Sequence, residues 1–326
     1  MSKNLKRILT GIQSTGTPHL GNILGAIIPA INFSKQNNIE TFLFIADFHS
    51  LTQIKDAHIM KENTLHTAAA WLAFGLNPEK TIFYRQSDVP QVTELAWYLS
   101  CFYPFSRLSL AHSFKDKKDR LDDINSGLFN YPILMAADIL LYDAEIIPVG
   151  KDQLQHIEIT RNIANRFHAL FGKTFIIPKD YLTENTKLIT GTDGKKMSKS
   201  KNNIINVFAD EKILKKQINS ITTSSNKIEE RKDWKNCNLF NIYKHIASEN
   251  DSKKMKQLYE KGGVGFGNIK KELIGLILEK FSDERKQFNY YVSNITEVEK
   301  ILSKGSLKAQ TTANKVLGRV RKKLGY

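Results

Sequence analysis

Apolar residues recur along this chain with two different periods, and the change from one to the other divides it. In the first half, short runs rich in β-branched and aromatic residues read as strands: the stretch ending in Ile8 and Leu9, then residues 39–46, 81–87 and 145–149. Between them the apolar positions move to helical spacing, around residues 20–35, 57–75 and 91–103. Strands alternating with helices predict an α/β fold with a parallel sheet and crossover helices. Residues 152–171 predict one amphipathic helix, with Leu154, Ile157, Ala164, Phe167 and Phe171 on one side. After Ser200 no strand pattern follows. Residues 209–303 keep a helical period, and the glycines of 262–267 read as a bend between helices, since no strand precedes them. The predicted division is an α/β domain over residues 1–205, a smaller all-helical domain over 206–304, and a last helix at about 305–326.

Charge adds a partner class. The 326 residues carry 48 basic and 33 acidic side chains, a net charge of +15, which favours a polyanion such as RNA. Part of that excess belongs to a composition heavy in Lys, Asn and Ile, as an AT-biased coding sequence gives. The tail from Lys315 to Tyr326 interleaves Val316, Leu317, Val320 and Leu324 with basic residues, and predicts an amphipathic helix with a basic face. The loop 115–123 is dense in both charges. Hydrophobic residues make up 41% of the chain, and no run is long enough to span a bilayer. The first strand begins too early to leave room for a targeting peptide. Two cysteines, Cys101 and Cys237, lack metal-ligand or redox spacing. A reducing cytoplasm is the expected compartment.

Two segments carry the candidate chemistry. Residues 11–25 read Gly-Ile-Gln-Ser-Thr-Gly-Thr-Pro-His-Leu-Gly-Asn-Ile-Leu-Gly, between the first strand and a helical run containing Leu20, Ile23, Leu24, Ile27, Ile28 and Ile31. Strand, Gly-rich turn and helix start together form an anion site. The spacing matches neither the Walker loop nor the dinucleotide fingerprint. Residues 191–200 read Gly-Thr-Asp-Gly-Lys-Lys-Met-Ser-Lys-Ser, which sets Lys195, Lys196 and Lys199 among glycines and serines. By itself such a run is ordinarily a solvated loop. Beside a second anion site it suits a nucleoside triphosphate.

Here the chain resembles a known family. Pro18-His19-Leu20-Gly21-Asn22 is similar to the HIGH element of class I aminoacyl-tRNA synthetases, and Lys196-Met197-Ser198-Lys199-Ser200 matches their KMSKS element letter for letter. Their order and separation suit the smallest members of that class. Residues 131–161, with residues 46–52, 86–90 and 127–129, resemble the tryptophanyl-tRNA synthetase family over nearly the whole chain. The resemblance implies a Rossmann-like catalytic domain, ATP and Mg2+ as reactants, L-tryptophan and tRNA(Trp) as partners, a homodimer, and no DNA or membrane partner. The helical domain would then approach the anticodon.

Site residues follow from the same resemblance. His19, Asn22, Lys117, Lys196 and Lys199 are the expected catalytic set. ATP would meet Gln13, Ser14, Thr15, Gly21, Asn22, Gly150, Lys151, Asp152, Leu188, Lys196, Met197, Ser198, Lys199 and Ser200. Tryptophan would meet Leu9, His49, Tyr131, Met135, Asp138, Ile147, Val149 and Gln153. No protein-bound metal site is expected. Asp138 has a physical argument of its own. It stands in an apolar run with Met135 and Tyr142 at helical spacing, and a buried carboxylate needs a donor. The indole N–H offers one on an otherwise apolar body; phenylalanine offers none. An Asp bonded instead to a neighbouring backbone group or arginine is the structural alternative. Two departures from the family pattern stand out. Ser14 replaces a common Pro, which predicts a looser loop, and Leu9 replaces a frequent Phe, which alters pocket packing. A tyrosyl-tRNA synthetase, a small nucleotidyltransferase of the same superfamily and a catalytically silent RNA-binding relative remain alternatives.

Overall fold

The computed structural model describes residues 5–111, 125–182 and 189–326. Strands β1 (Lys6–Ile12), β2 (Ile39–Ile45), β3 (Ile82–Arg85), β4 (Ile146–Val149) and β5 (Lys179–Leu182) form a five-stranded sheet in the order β3-β2-β1-β4-β5. All its pairings are parallel. Winding reverses between β1 and β4, so the crevice outside their carboxyl ends is the favoured ligand position of such a sheet. The expected strands are present within a residue or two at most ends. β5 went unread: its Lys-Asp-Tyr-Leu pattern is that of a short polar edge strand, largely exposed.

The alternation along β2 sorts the core into two layers. Leu43 and Ile45 face one cluster with Phe83 and Trp71. Phe42 and Phe44 face the other with Tyr84, Ile147 and Phe167. The expected helix after β1 is there, as α1 (Leu20–Asn22) and α2 (Ile28–Ser34) joined by a π-helical stretch, Ile23–Ile27. Pro29 accounts for it, because proline supplies no N–H to the preceding turn and a wider turn absorbs the loss. Further helices are α3 (Asp47–Ser50), α4 (Ala57–Ala73), α5 (Gln91–Phe102), α6 (Phe105–Leu108), α7 (Ser126–Leu140) and α8 (Leu154–Phe171). The α7 helix ends before Tyr142, so Tyr142 lies in the following turn and not on the shared helical face read in the sequence; its ring packs against Phe42 and Tyr84.

Beyond β5, α9 (Glu211–Asn219), α10 (Asn238–Ile246), α11 (Glu249–Lys261), α12 (Phe266–Lys280), α13 (Ser282–Ser293) and α14 (Ile295–Leu324) follow, with no further strand among the described residues. The 262–267 turn does join two helices. Gly262 and Gly263 there have φ of +81° and +86°, a conformation that suits glycine. The helical region does not own a separate core: Leu239, Tyr243, Leu273 and Ile277 pack in one cluster with Leu20, Leu43 and Trp71.

The last helix starts ten residues earlier than its sequence pattern suggested. Val298 and Leu302 lie in one core layer, whereas Ala309, Ala313 and Val316 lie in the other. Between them the helix rounds the free edge of β3 at Gly305, where a Cβ would sit 1.7 Å from the Phe83 carbonyl oxygen. Its basic face is partly paired within the chain: Arg319 bonds Asp143 and Arg321 bonds Glu94, each through two nitrogens.

Candidate active site

Three segments converge at the carboxyl ends of β1 and β4. The first runs from Gln13 to Asn22. His19 caps the helix that follows it. Its Nδ1 accepts the Asn22 N–H at 3.2 Å, and Asn22 Oδ1 accepts the His19 N–H at 3.2 Å. Burial, with the nearby Lys199 charge, pushes the His19 imidazole down to about 4. The ring is therefore neutral near pH 7. Since Nδ1 is an acceptor, the proton sits on Nε2, which can donate to an anion. Gly21 lies in the first turn, where a Cβ would meet the His19 ring at 3.1 Å.

Ser14 corrects an expectation. The loop is not loosened by losing proline, because Ser14 is fully buried. Its N–H donates to Ser50 Oγ at 3.0 Å, and its hydroxyl meets Ser50 Oγ and Thr64 Oγ1, each at 3.2 Å. That side chain holds the loop to α3 and α4. Gln13 is exposed and Thr15 half-buried at the turn's outer side.

The second segment is the hairpin of residues 189–203. Thr190 and Lys196 form an antiparallel bridge. Asn203, buried at 2% exposure, fills the hairpin: its Oδ1 accepts the Ser198 N–H at 2.7 Å, and its Nδ2 donates to Asp193 Oδ1 and the Lys196 carbonyl. Gly191 must be glycine, since a Cβ would lie 2.4 Å from Asn203 Cγ. The Met197 side chain is buried in the core with Leu20 and Ile23, so it anchors the hairpin, and only its backbone can face a ligand. Ser198 and Ser200 share a hydroxyl contact of 3.0 Å. The far end of the segment is pinned where Leu20 N–H meets the Ile205 carbonyl at 2.8 Å.

Two lysines leave this hairpin for the other segments. Lys199 donates to the Gly16 carbonyl at 2.5 Å, and burial pushes its ammonium down to about 8. Lys196 reaches Asp152 Oδ2 at 2.8 Å. Asp152 belongs to the third segment, Gly150–Gln153, which follows β4. Burial tends to raise its carboxyl, but the Lys196 bond and charge leave it below the usual carboxylate range. Lys151 is exposed and Gln153 half-buried beside it.

A buried polar cluster joins α3, α7 and the turn after β3. Asp138 on α7 is 2% exposed. His49 Nε2 meets its Oδ2 at 2.8 Å, and Gln86 Nε2 reaches both oxygens, at 2.8 and 3.0 Å. Burial raises the carboxyl, against the lowering effect of His49 and Gln86. An ionised carboxylate offers about four acceptor positions, so capacity for another donor remains. The sequence placed Gln86 in a segment resembling the family, residues 86–90, but gave it no role in the site. Its Oε1 accepts the Phe48 N–H at 3.1 Å, which fixes the amide with its NH2 toward Asp138. Asp47 in turn accepts the Ser87 N–H at 3.0 Å and holds the turn that carries Gln86.

Leu9, Ile147 and Val149 are buried in the same core layer, and Met135 packs against it half-buried. Tyr131 bonds His156 at 2.7 Å and stands edge-on to the His49 ring. Of the residues expected around tryptophan, His49 and Asp138 are in direct contact, and Met135, Ile147 and Val149 belong to one core layer. Lys117 and Leu188 lie outside the described residues.

A nucleotide-type crevice flanked by a cationic hairpin, with a buried carboxylate below it, is the arrangement of an amino-acid-activating enzyme. Residues 1–282 match the model of the class I tRNA synthetases for W and Y, and the chain belongs to that family. Its relatives include tryptophan–tRNA ligases. That of Campylobacter jejuni strain RM1221 is 43% identical, with 98% of this chain and 99% of the relative covered. That of Rhodopirellula baltica is 42% identical over 98% and 99%. The crystal structure of Campylobacter jejuni tryptophanyl-tRNA synthetase complexed with ADP and tryptophan superposes with a TM-score of 0.91 at 42% identity, covering 98% of this chain and all of that one.

Proposed function

We propose that the protein is a tryptophan–tRNA ligase. A tryptophan carboxylate oxygen attacks the α-phosphorus of ATP. The new C–O–P link forms as the α–β P–O bond breaks, and the electron pair leaves with pyrophosphate. A hydroxyl of the terminal tRNA ribose then attacks the activated carbonyl, and AMP departs.

The observation that carries this reading is the Asp138 carboxylate. It is buried, oriented by His49 and Gln86, and set among apolar side chains where an indole N–H is the fitting donor. Tyrosine and phenylalanine present no donor at the same reach, and a buried polar group left unpaired discriminates strongly. For the first step, positioning and charge stabilisation dominate. Neutral His19 donates from Nε2, with Asn22 holding its ring. Lys196 and Lys199 follow negative charge onto the leaving pyrophosphate, with Lys117 as a third cation. Gln13, Thr15 and Gly150–Asp152 flank the nucleoside.

Magnesium supplies charge neutralisation on the phosphate oxygens. Among the described residues no cluster of three acidic, His or Cys side chains stands ready to hold a metal. A cation that enters with the nucleotide and keeps water ligands suits this chemistry.

Residues 1–205 act as the catalytic part and 206–304 as the tRNA-facing part, in the cytoplasm. For the homodimer, the supporting feature is an apolar surface: Trp97, 69% exposed, lines a groove of about 510 Å³ with Phe48, Leu51 and Leu134, and Phe105 is 74% exposed. Pyrophosphate–ATP exchange measured with each of the twenty amino acids tests the central reading. Exchange with tryptophan alone, followed by charging of tRNA(Trp), is expected. Exchange with tyrosine, or none, overturns it.

A further inference from the structure

The hairpin that carries Lys195, Lys196 and Lys199 is held from inside by Asn203 and from behind by a second asparagine. Asn238 opens α10, far along the chain in the helical region. Its Oδ1 accepts the Thr190 hydroxyl at 2.6 Å. Its Nδ2 donates to the Gly191 carbonyl at 2.8 Å and lies 3.4 Å from that of Thr192. One amide head thus bonds three consecutive hairpin residues. Thr190 is itself the bridge partner of Lys196, so the clamp acts directly behind the lysine that spans the crevice to Asp152. The Thr192 carbonyl also accepts the Thr222 N–H at 2.8 Å.

We infer that Asn238 is a positioning residue for ATP: it sets the pose of the 190–196 strand pair, and through it the Lys196 ammonium over the nucleotide crevice. It does not touch the reacting atoms. Asn203 shapes the hairpin internally, whereas Asn238 fixes where the shaped hairpin sits on the helical region. A loosened hairpin still carries its lysines, but they sample poses off the phosphate path. Displacements of this size are costly to a reaction driven by positioning.

The inference rests on the proposed amino-acid activation, and the unmutated protein provides the control. Tryptophan-dependent exchange in that protein tests the activity; the variants test the clamp. Asn238→Ala is expected to lower kcat/KM for ATP roughly tenfold, mainly through KM. The tryptophan Kd, read by calorimetry, and the Tm stay near the unmutated values. Thr190→Val removes the same bond from the other side and leaves α10 intact, so it keeps the test alive where Asn238→Ala fails to fold. Thr190→Val raises KM for ATP in the same direction, and the double variant adds little to either single one. The inference is overturned where folded Asn238→Ala or Thr190→Val handles ATP as the unmutated protein does. It is also overturned where the ATP and tryptophan constants worsen together in step with Tm, because a merely structural role moves all three.

Discussion

The Lys199 ammonium lies 2.5 Å from the Gly16 carbonyl oxygen, so two anion-binding segments remote in sequence close on each other through one cation. Gly16 has φ of +131°, and a Cβ there would lie 3.2 Å from Lys199 Cδ. The turn is thus both conformationally and sterically fitted to that side chain. Lys199→Ala should lower the rate of tryptophan-dependent pyrophosphate exchange by about 10²–10³-fold, the usual scale for losing one preorganised charge contact. Tryptophan binding followed by calorimetry should stay unchanged. Equal exchange rates would remove the electrostatic role assigned to this lysine.

Gly16→Ala forces a side chain into the left-handed region and against the lysine stem. A stability loss of about 1–3 kcal/mol is expected, read by urea unfolding, together with a raised KM for ATP.

The pH behaviour follows from two groups shifted in one direction. Lys199 titrates at about 8 in the folded protein, because of its burial. In the free enzyme, kcat/KM for ATP should therefore fall as pH rises through about 8, and this limb should vanish in Lys199→Ala. His19 titrates at about 4 when folded, below its unfolded value of about 6.5. Between those values the unfolded chain binds the proton and the folded one does not. The His19 contribution to stability is therefore present above about 6.5 and lost as pH falls toward about 4. Unfolding curves across that window should show a shallower slope in His19→Asn.

Asp138→Asn replaces the acceptor for the indole and leaves the donors of His49 and Gln86 facing an amide. KM for tryptophan should rise at least roughly tenfold, the equivalent of one buried hydrogen bond. Gln86→Glu should do the same from the other side, by placing a second carboxylate against the first. Pyrophosphate–ATP exchange at varied tryptophan concentration checks both.

Gly305→Ala pushes a methyl group into the Phe83 carbonyl. A destabilisation of about 1–3 kcal/mol is expected from overpacking. KM for tryptophan should also rise, since β3 leads directly into Gln86.

Period and punctuation made much of this molecule readable. Residues 42–46 are apolar without a break because each side of β2 meets a core layer, and residues 152–171 repeat because α8 covers one side of the sheet. The motif residues His19, Lys196 and Lys199 were visible because glycine, proline and lysine leave local signatures. The amides that organise them were not. Gln86, Asn203 and Asn238 act through partners fixed by the fold, and a polar side chain in a loop has no period to betray it. The start of α14 escaped for a different reason: one buried side runs unbroken from Val298 to Val320, but it passes through Gly305 and Ser306, which read in the sequence as a boundary between helices. β5 escaped because a four-residue polar edge strand resembles a loop.

The passage of α14 around β3 also bears on the order in which the molecule can mature. The strands of the described residues are all synthesised by residue 182, yet the rim of β3 stays bare until residues near 305 have left the ribosome. A nascent or prematurely terminated chain therefore exposes an open rim of backbone donors and acceptors, the kind of surface that recruits a second chain. Arrival of this helix, and not completion of the sheet, is the moment at which that hazard ends.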